Sequence, residues 1–389
     1  MKKRYLISIM LMLIGCVQLI AQTSSATELK YTDENGVPVV EVVIGGNTYR
    51  FLVDTGAGIT CISDRLVNAE KLQYEQSQES MMGLGNNLFI AEIPEITIGD
   101  LSLENQEAII MSADNVILSA LDADGTIGAN ILSKYVVTFN SKKKTMVFSN
   151  QADPSITAWE TLKLWKNVPL FSIKLQGKDE LYDVPALFDS GNGTGALGLP
   201  SVEGFEQWTS VGIINNVVDG QGATGSMVGG LTGMDKLYRG KLNDLHIGGH
   251  IYENIPVITG GVGYLLLCFK ITDLGKVTID YLNNRYSFMP YEDSVVWDGD
   301  NRTVMTGADN GQLRVAAVWG EDACAKLKPG NIITSIGNNE ISNVNDSTPN
   351  IDELILQYEA QNAKITVKDQ IGTVKQLPAS LFLPINIKK

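Results

Sequence analysis

Two short stretches restrict this chain more than anything else in it. Phe51-Leu52-Val53-Asp54-Thr55-Gly56-Ala57 runs three apolar residues into an acid and then turns at Thr-Gly. Ala186-Leu187-Phe188-Asp189-Ser190-Gly191-Asn192 repeats the pattern downstream. An apolar run ending in Asp and a small turn delivers a carboxylate to the end of a buried strand. One such stretch is an ordinary turn. Two, in matched contexts, predict a pair of facing carboxylates.

The contexts match in order. Residues 39–44, a Gly45-Gly46-Asn47 turn and residues 49–53 read as a hairpin ending in Asp54. Residues 171–175, a turn at Gln176-Gly177-Lys178 and residues 184–188 lead likewise to Asp189. Ile96-Thr97-Ile98-Gly99 matches Leu245-His246-Ile247-Gly248, and residues 137–148 align without a gap on residues 277–288. We align Ile127-Gly128-Ala129-Asn130-Ile131-Leu132 with Val262-Gly263-Tyr264-Leu265-Leu266-Leu267, each opening 73 residues after its Asp. Between these elements, residues 59–62 are expected as a strand and 64–75 as a short helix. Gly83-Leu84-Gly85-Asn86-Asn87 is expected as a hairpin covering the site, with Met81 and Met82 beside it. Residues 230–233 hold the corresponding place in the second half.

The chain of 389 residues is too long for one ordinary domain. With 44% apolar residues, 19% charged residues and 38 Gly, it reads as globular and rich in short Gly-bounded strands. Lys2-Lys3-Arg4 followed by the apolar residues 5–20 reads as a signal peptide over 1–21. Export to the periplasm or the exterior follows, with no integral membrane segment after its removal. The alternative is a lipid anchor on Cys16, from the lipobox-like Leu13-Ile14-Gly15-Cys16. The formal net charge of −14 argues against nucleic acid or an anionic membrane as a partner. Cys61, Cys268 and Cys324 read as buried free thiols rather than a disulfide framework. No metal spacing or cofactor motif is found: His246 and His250 flank a turn, and Gly83-Leu84-Gly85 and Gly220-Gln221-Gly222 read as loops.

Two carboxyls a few ångströms apart cannot both ionise cheaply, so one keeps its proton and the pair titrates as a unit. A water between them can lose a proton to one while the other donates to a carbonyl oxygen. That chemistry needs neither metal nor His. Gly56 and Gly191 permit close backbone approach, and Thr55 and Ser190 offer hydroxyls to bond across to the opposite loop.

Asp54-Thr55-Gly56-Ala57, with Ile127-Gly128 downstream, resembles retropepsin-like aspartic proteases, and its recurrence at Asp189-Ser190-Gly191 resembles a two-lobed enzyme of that kind. Residues 303–385 resemble a bacterial PDZ domain through Lys326-Leu327-Lys328-Pro329-Gly330-Asn331-Ile332-Ile333. The resemblance implies a mainly β fold: two homologous acid-protease-like β lobes, at 30–150 and 160–290, then a small α/β-containing PDZ-like β-barrel. It implies Asp54 and Asp189 as a catalytic dyad cutting extended peptides or proteins, braced by Thr55 and Ser190. It also implies Asn310, Gly311, Gln312 and Leu313 as a loop receiving a peptide C-terminus, with that peptide added as a strand beside residues 313–318. A helix is expected at 350–360. Asn192 departs from the Ala, Ser or Thr expected at its position. Either it hydrogen-bonds Asp189 and shifts its pKa, or it marks a lobe that binds without cutting. The alternatives are therefore a catalytically inactive peptide-binding scaffold, or Asp54 acting alone and completing its dyad by dimerisation.

Overall fold

The computed structural model describes residues 26–34, 36–77, 88–193, 197–223, 226–227, 230–231, 235–260, 263–292, 303–309, 311–341 and 363–382. The leader over 1–21 with Cys16, the covering hairpin at 83–87 with Met81 and Met82, Asn310 and the helix at 350–360 lie outside them. So do 232 and 233 of the stretch 230–233. The fold is mainly β. No described helix is long and apolar enough to cross a membrane.

The first half opens with a hairpin of Val37–Ile44 and Asn47–Val53, turned at Gly45 and Gly46, both at positive φ. Its pattern is legible in Val37–Ile44: Val40, Val42 and Ile44 are buried while Glu41 and Val43 face out. Asn47–Val53 then pairs in parallel with Gly125–Ile127, and Cys61–Ser63 sits between Gly125–Ile127 and Leu101–Met111. The expected helix at 64–75 is shorter. Ser63 Oγ accepts the Leu66 N–H at 3.1 Å to start Asp64–Glu70, and Lys71 ends it at φ 54. Tyr74–Gln76 is instead a strand paired with Phe89–Ile98.

The second half repeats this order. Val168–Gln176 and Leu181–Asp189 form the hairpin, Leu265–Cys268 is its parallel partner, and Leu197–Leu199 takes the place of Cys61–Ser63. The Ile96 and Leu245 correspondence holds in register: Ile44 pairs with Ile96, and Leu175 with Leu245.

One alignment is corrected. Val53 lies beside Ile127, whereas Phe188 lies beside Leu267, not Val262. The second element is therefore Leu265–Cys268, five residues later than the apolar-Gly match suggested, and Cys268 stands where the first half has Gly128. Backbone bonds agree. Ala129 N–H donates to Ala57 O at 2.7 Å, and Phe269 N–H donates to Asn192 O at 3.1 Å.

The halves meet in a six-stranded sheet in the order Ala26–Lys30, Thr145–Ser149, Val136–Asn140, Gly275–Asp280, Arg285–Pro290, Glu160–Trp165. At its centre Thr138 pairs with Thr278, their hydroxyls 3.0 Å apart, with Val137 opposite Ile279 and Phe139 opposite Val277. Thr138 and Thr278 are also each other's counterparts in the gap-free alignment. An approximate two-fold axis thus passes between them, as in an isologous contact. One apolar core runs through both halves. Phe139 contacts Phe188 and Phe269 at 5.9 and 5.5 Å, and Phe171 stacks on Tyr286 at 3.9 Å.

The C-terminal segment has its own core, including Leu313, Val315, Ile333, Ile336, Ile365 and Phe382. It is not a loose appendage. Gln312–Trp319 pairs with Ile214–Gly222 of the second half, Gly220 opposite Trp319 and Gly222 opposite Ala317. A Cβ at Gly222 would lie 2.2 Å from Ala316 O, so only glycine admits this approach. Trp319 is buried at the junction with Leu237 and Ala317. Trp319→Ala is expected to lose ~3–5 kcal/mol, seen as a lower denaturant midpoint and faster amide exchange at Gln221. An unchanged midpoint would show the junction to be incidental.

This pairing also corrects the expected peptide position. Asp309 pairs with Gln312, so Gly311, at φ 71, and Gln312 close a tight hairpin, and Leu313 points into the core. Gln312–Trp319 carries Val304–Asp309 along one edge. Its other edge is taken by Ile332 at Arg314 and by Ile214–Gly222 at Ala317 onward. A peptide cannot add beside residues 313–318, because those backbone groups are already paired.

Candidate active site

Each aspartate sits where its strand leaves the sheet. Asp54 N–H donates to Ile127 O at 3.0 Å, and Asp189 lies opposite Cys268. The apolar residues before each acid, Phe51, Leu52 and Val53 or Ala186, Leu187 and Phe188, are buried, which anchors the loop that follows.

The loops are locked to each other by reciprocal hydrogen bonds. Ser190 Oγ accepts the Thr55 N–H at 2.9 Å and donates to Val53 O at 2.6 Å. Thr55 Oγ1 accepts the Ser190 N–H at 2.9 Å and donates to Phe188 O at 2.6 Å. Thr55 and Ser190 are wholly buried. The four bonds obey the same two-fold relation as the central sheet, and they place Asp54 and Asp189 together from one chain.

The glycines set the approach. A Cβ on Gly56 would lie 2.7 Å from the Asp189 carboxyl carbon, and one on Gly191 would lie 2.5 Å from that of Asp54. Any side chain there would push the acids apart. Each carboxyl thus packs against the glycine of the opposite loop, close enough for the two acids to shift each other's titration. Both are enclosed by protein yet keep an accessible face, as a pair that meets water must.

Burial raises both acids above the ordinary carboxylate range. Asp54 is relieved in part: its Oδ1 accepts N–H groups from Gly56 at 2.9 Å and Ala57 at 3.0 Å. Asp189 Oδ1 accepts from Gly191 at 3.0 Å, and the charge of Asp54 raises Asp189 further. With N–H groups from Gly56 and Ala57 on its Oδ1, Asp54 is the better placed of the two to carry the negative charge, and the pair titrates as a unit. Cys61 is pushed up to about 12, chiefly by burial and further by the charge of Asp54, so it stays a thiol. Tyr281 is likewise raised by burial and by Asp54 and stays neutral.

Asn192 keeps the backbone role of its counterpart. Its N–H approaches Asp189 O at 3.3 Å, as the Ala57 N–H approaches Asp54 O at 3.3 Å. Of the residues expected to receive a peptide C-terminus, Gly311, Gln312 and Leu313 lie in the hairpin described above, Gln312 and Leu313 pairing with Asp309 and Ala308. Sequence reasoning missed Leu265-Leu266-Leu267-Cys268 as the second partner strand. Its signal, an unbroken apolar run, was there, but the apolar-Gly match of Val262-Gly263 to Ile127-Gly128 masked it. It also missed the junction at Trp319, because a pairing between distant strands leaves no local pattern.

A comparison with curated proteins returns no match. The family described as gag-polyprotein putative aspartyl protease matches residues 40–133, which contain Asp54-Thr55-Gly56 and the parallel strand Gly125–Ile127. That stretch of the chain is similar to an aspartyl protease domain, and a peptide or protein is the substrate class that such a domain implies.

Proposed function

We propose that this protein is an exported aspartic endopeptidase built from two homologous lobes, with Asp54 and Asp189 as its dyad. The observation that carries this reading is the pair of apposed carboxyls held by reciprocal Thr55 and Ser190 bonds. In this reading Asp54, ionised, takes a proton from a water held between the acids. The water oxygen attacks the peptide carbonyl carbon, and Asp189 gives its proton to the carbonyl oxygen. In the tetrahedral intermediate, Asp54 passes its proton to the amide nitrogen and Asp189 recovers one from a hydroxyl. The carbon–nitrogen bond then breaks, with the original protonation restored. The dimeric alternative is not needed, since one chain supplies both acids. The inactive-scaffold alternative rested on Asn192, and the retained backbone bonds at that residue do not favour it.

The reading includes a leader over 1–21, lobes at 30–150 and 160–290, and a PDZ-like unit at 303–385. Within that unit, a peptide strand would have to add to Val304–Asp309, which among the described residues pairs only with Gln312–Trp319.

The test is cleavage of a peptide library across acidic to neutral pH. Asp54→Ala and Asp189→Ala are each expected to reduce cleavage by at least ~10²–10⁴-fold. Absence of cleavage by the unaltered chain at every pH would sink the catalytic claim, and activity surviving in Asp189→Ala would remove Asp189 from the dyad.

A further inference from the structure

The two-fold relation allows the ends of the cleft to be compared position by position. The hairpin turn between Glu34 and Val37 is the counterpart of the turn between Trp165 and Val168. Each turn reaches across to the aspartate loop of the opposite half. A Cβ at Gly36 would lie 2.9 Å from Gly193 O, and one at Gly58 would lie 3.8 Å from Lys166 O. Gly58 and Gly193 each come four residues after their Asp. Glu34 and Trp165 therefore occupy two-fold-related places flanking the acids. A second pair follows from register. Phe51 lies beside Gly125 and Ala186 beside Leu265, so Asp124 and Tyr264, one residue earlier, are also counterparts.

The chemistry at these places differs between the halves. In the first, Glu34 accepts from Arg50 Nη2 at 3.2 Å, and Arg50 Nε donates to Asp122 O at 2.9 Å. Asp124 accepts from Arg50 N–H at 3.1 Å and from Arg65 at 2.8 Å. These charged groups rim this end, beside the apolar cluster of Val37, Val39 and Leu52. In the second, the Trp165 and Tyr264 rings lie 5.9 Å apart and tilted, both half-buried, over a floor of Leu187, Leu266 and Cys268. The Lys166 ammonium sits 5.9 Å from the Trp165 ring. A half-open aromatic pair beside a reactive loop presents apolar surface that a ligand side chain can cover.

We propose that the cleft is chemically one-sided: Trp165 and Tyr264 receive a large apolar or aromatic side chain of the peptide, on one side of the scissile bond only. The inference rests on reading the facing aspartates as a peptide cleft. It gives the bound chain a single direction, because a reversed peptide sets its apolar residue against the charged rim of Glu34, Arg50 and Asp124 instead of the Trp165 and Tyr264 rings.

The test uses the full chain and a positional-scanning peptide library, read by equilibrium binding and, in parallel, by mass-spectrometric mapping of cut sites. Phe, Tyr, Trp and Leu are expected to be enriched at one position adjacent to the cut and not at its mirror position. Trp165→Ala and Tyr264→Ala should each reduce that enrichment about tenfold, and Trp165→Phe should retain most of it. Thermal unfolding of each variant shows whether the fold is kept. A flat profile, equal enrichment on both sides, or a profile unchanged in Trp165→Ala overturns the proposal. Cleavage with a flat profile leaves the enzyme and removes the subsite. One-sided binding without cleavage keeps the subsite and removes the enzyme. A chain that neither binds nor cuts overturns both.

Discussion

Thr55→Val is expected to unfold at a markedly lower denaturant concentration than the native chain and to lose its activity. Valine keeps the branched shape, so packing changes little, but the hydroxyl is gone. Two bonds go with it, to Phe188 O at 2.6 Å and from Ser190 N–H at 2.9 Å. Both orphaned groups are main-chain and buried. Leaving a buried polar group unpaired costs about 1–3 kcal/mol, so the pair together costs ~2–6 kcal/mol. That is a large share of the stability of an ordinary domain. Ser190→Ala removes the symmetric bonds to Val53 O and from Thr55 N–H and is expected to behave similarly. Because the four bonds form one unit, the double variant should fall short of the sum of the singles. Thr55→Ser and Ser190→Thr keep the hydroxyls and should recover most of the loss. A native midpoint in Thr55→Val would show that the cross-brace contributes nothing.

Asp189→Asn is expected to abolish cleavage while stabilising the folded chain at neutral pH. The two effects have one origin. Burial and the charge of Asp54 hold the Asp189 carboxyl well above the ordinary carboxylate range, so the folded state keeps a proton that the unfolded chain releases. A folded state that binds the proton more tightly is most favoured at low pH. Its stability then falls as pH rises from the unfolded carboxylate pKa through the raised folded value. Asparagine has no proton to lose, so this decline should disappear in the variant. Melting temperatures of the two chains should converge at acidic pH and separate towards neutral pH, with the variant higher. The reverse separation, with the native chain more stable at neutral pH, would contradict a protonated Asp189. Activity of the native chain should be bell-shaped in pH, since hydrolysis needs one proton on the pair, neither two nor none. A stabilising substitution that removes function is expected where a buried ionisable site is kept for chemistry.

Much of the site was legible in advance because it is written locally. An apolar run, an acid, a hydroxyl residue and a glycine each have one job, and all four are consecutive at 53–56 and at 188–191. The closing hairpins were legible for the same reason: residues 137–148 and 277–288 align without a gap, and their register about Thr138 and Thr278 follows that alignment. What failed was one alignment across loops. The order of elements and the apolar-Gly pattern pointed to Val262-Gly263, yet the parallel partner of Phe188 is Leu267. Insertions between strands shift spacing freely, whereas pairing answers to hydrophobic pattern and backbone hydrogen bonds. The peptide-receiving loop expected at 310–313 failed differently. A resemblance suggested a receptive loop, but the edges of the following strand are occupied by Val304–Asp309, Ile332 and Ile214–Gly222.

The sequence by itself determined that this chain carries two acids in matched turns, a mainly β fold around them, and hydroxyls and glycines at the positions that could bind the two turns together. These depend on residue types at fixed local offsets. Only the tertiary structure decided that Thr55 bonds to the Ser190 loop and Ser190 to the Thr55 loop. It alone decided that burial raises both acids, Asp189 the further, and that Trp165 and Tyr264 stand at the places where the first half has Glu34 and Asp124. Those outcomes depend on which atoms approach across more than a hundred residues of chain. Burial, desolvation and the field of a neighbouring charge are properties of that approach and of no single stretch of sequence.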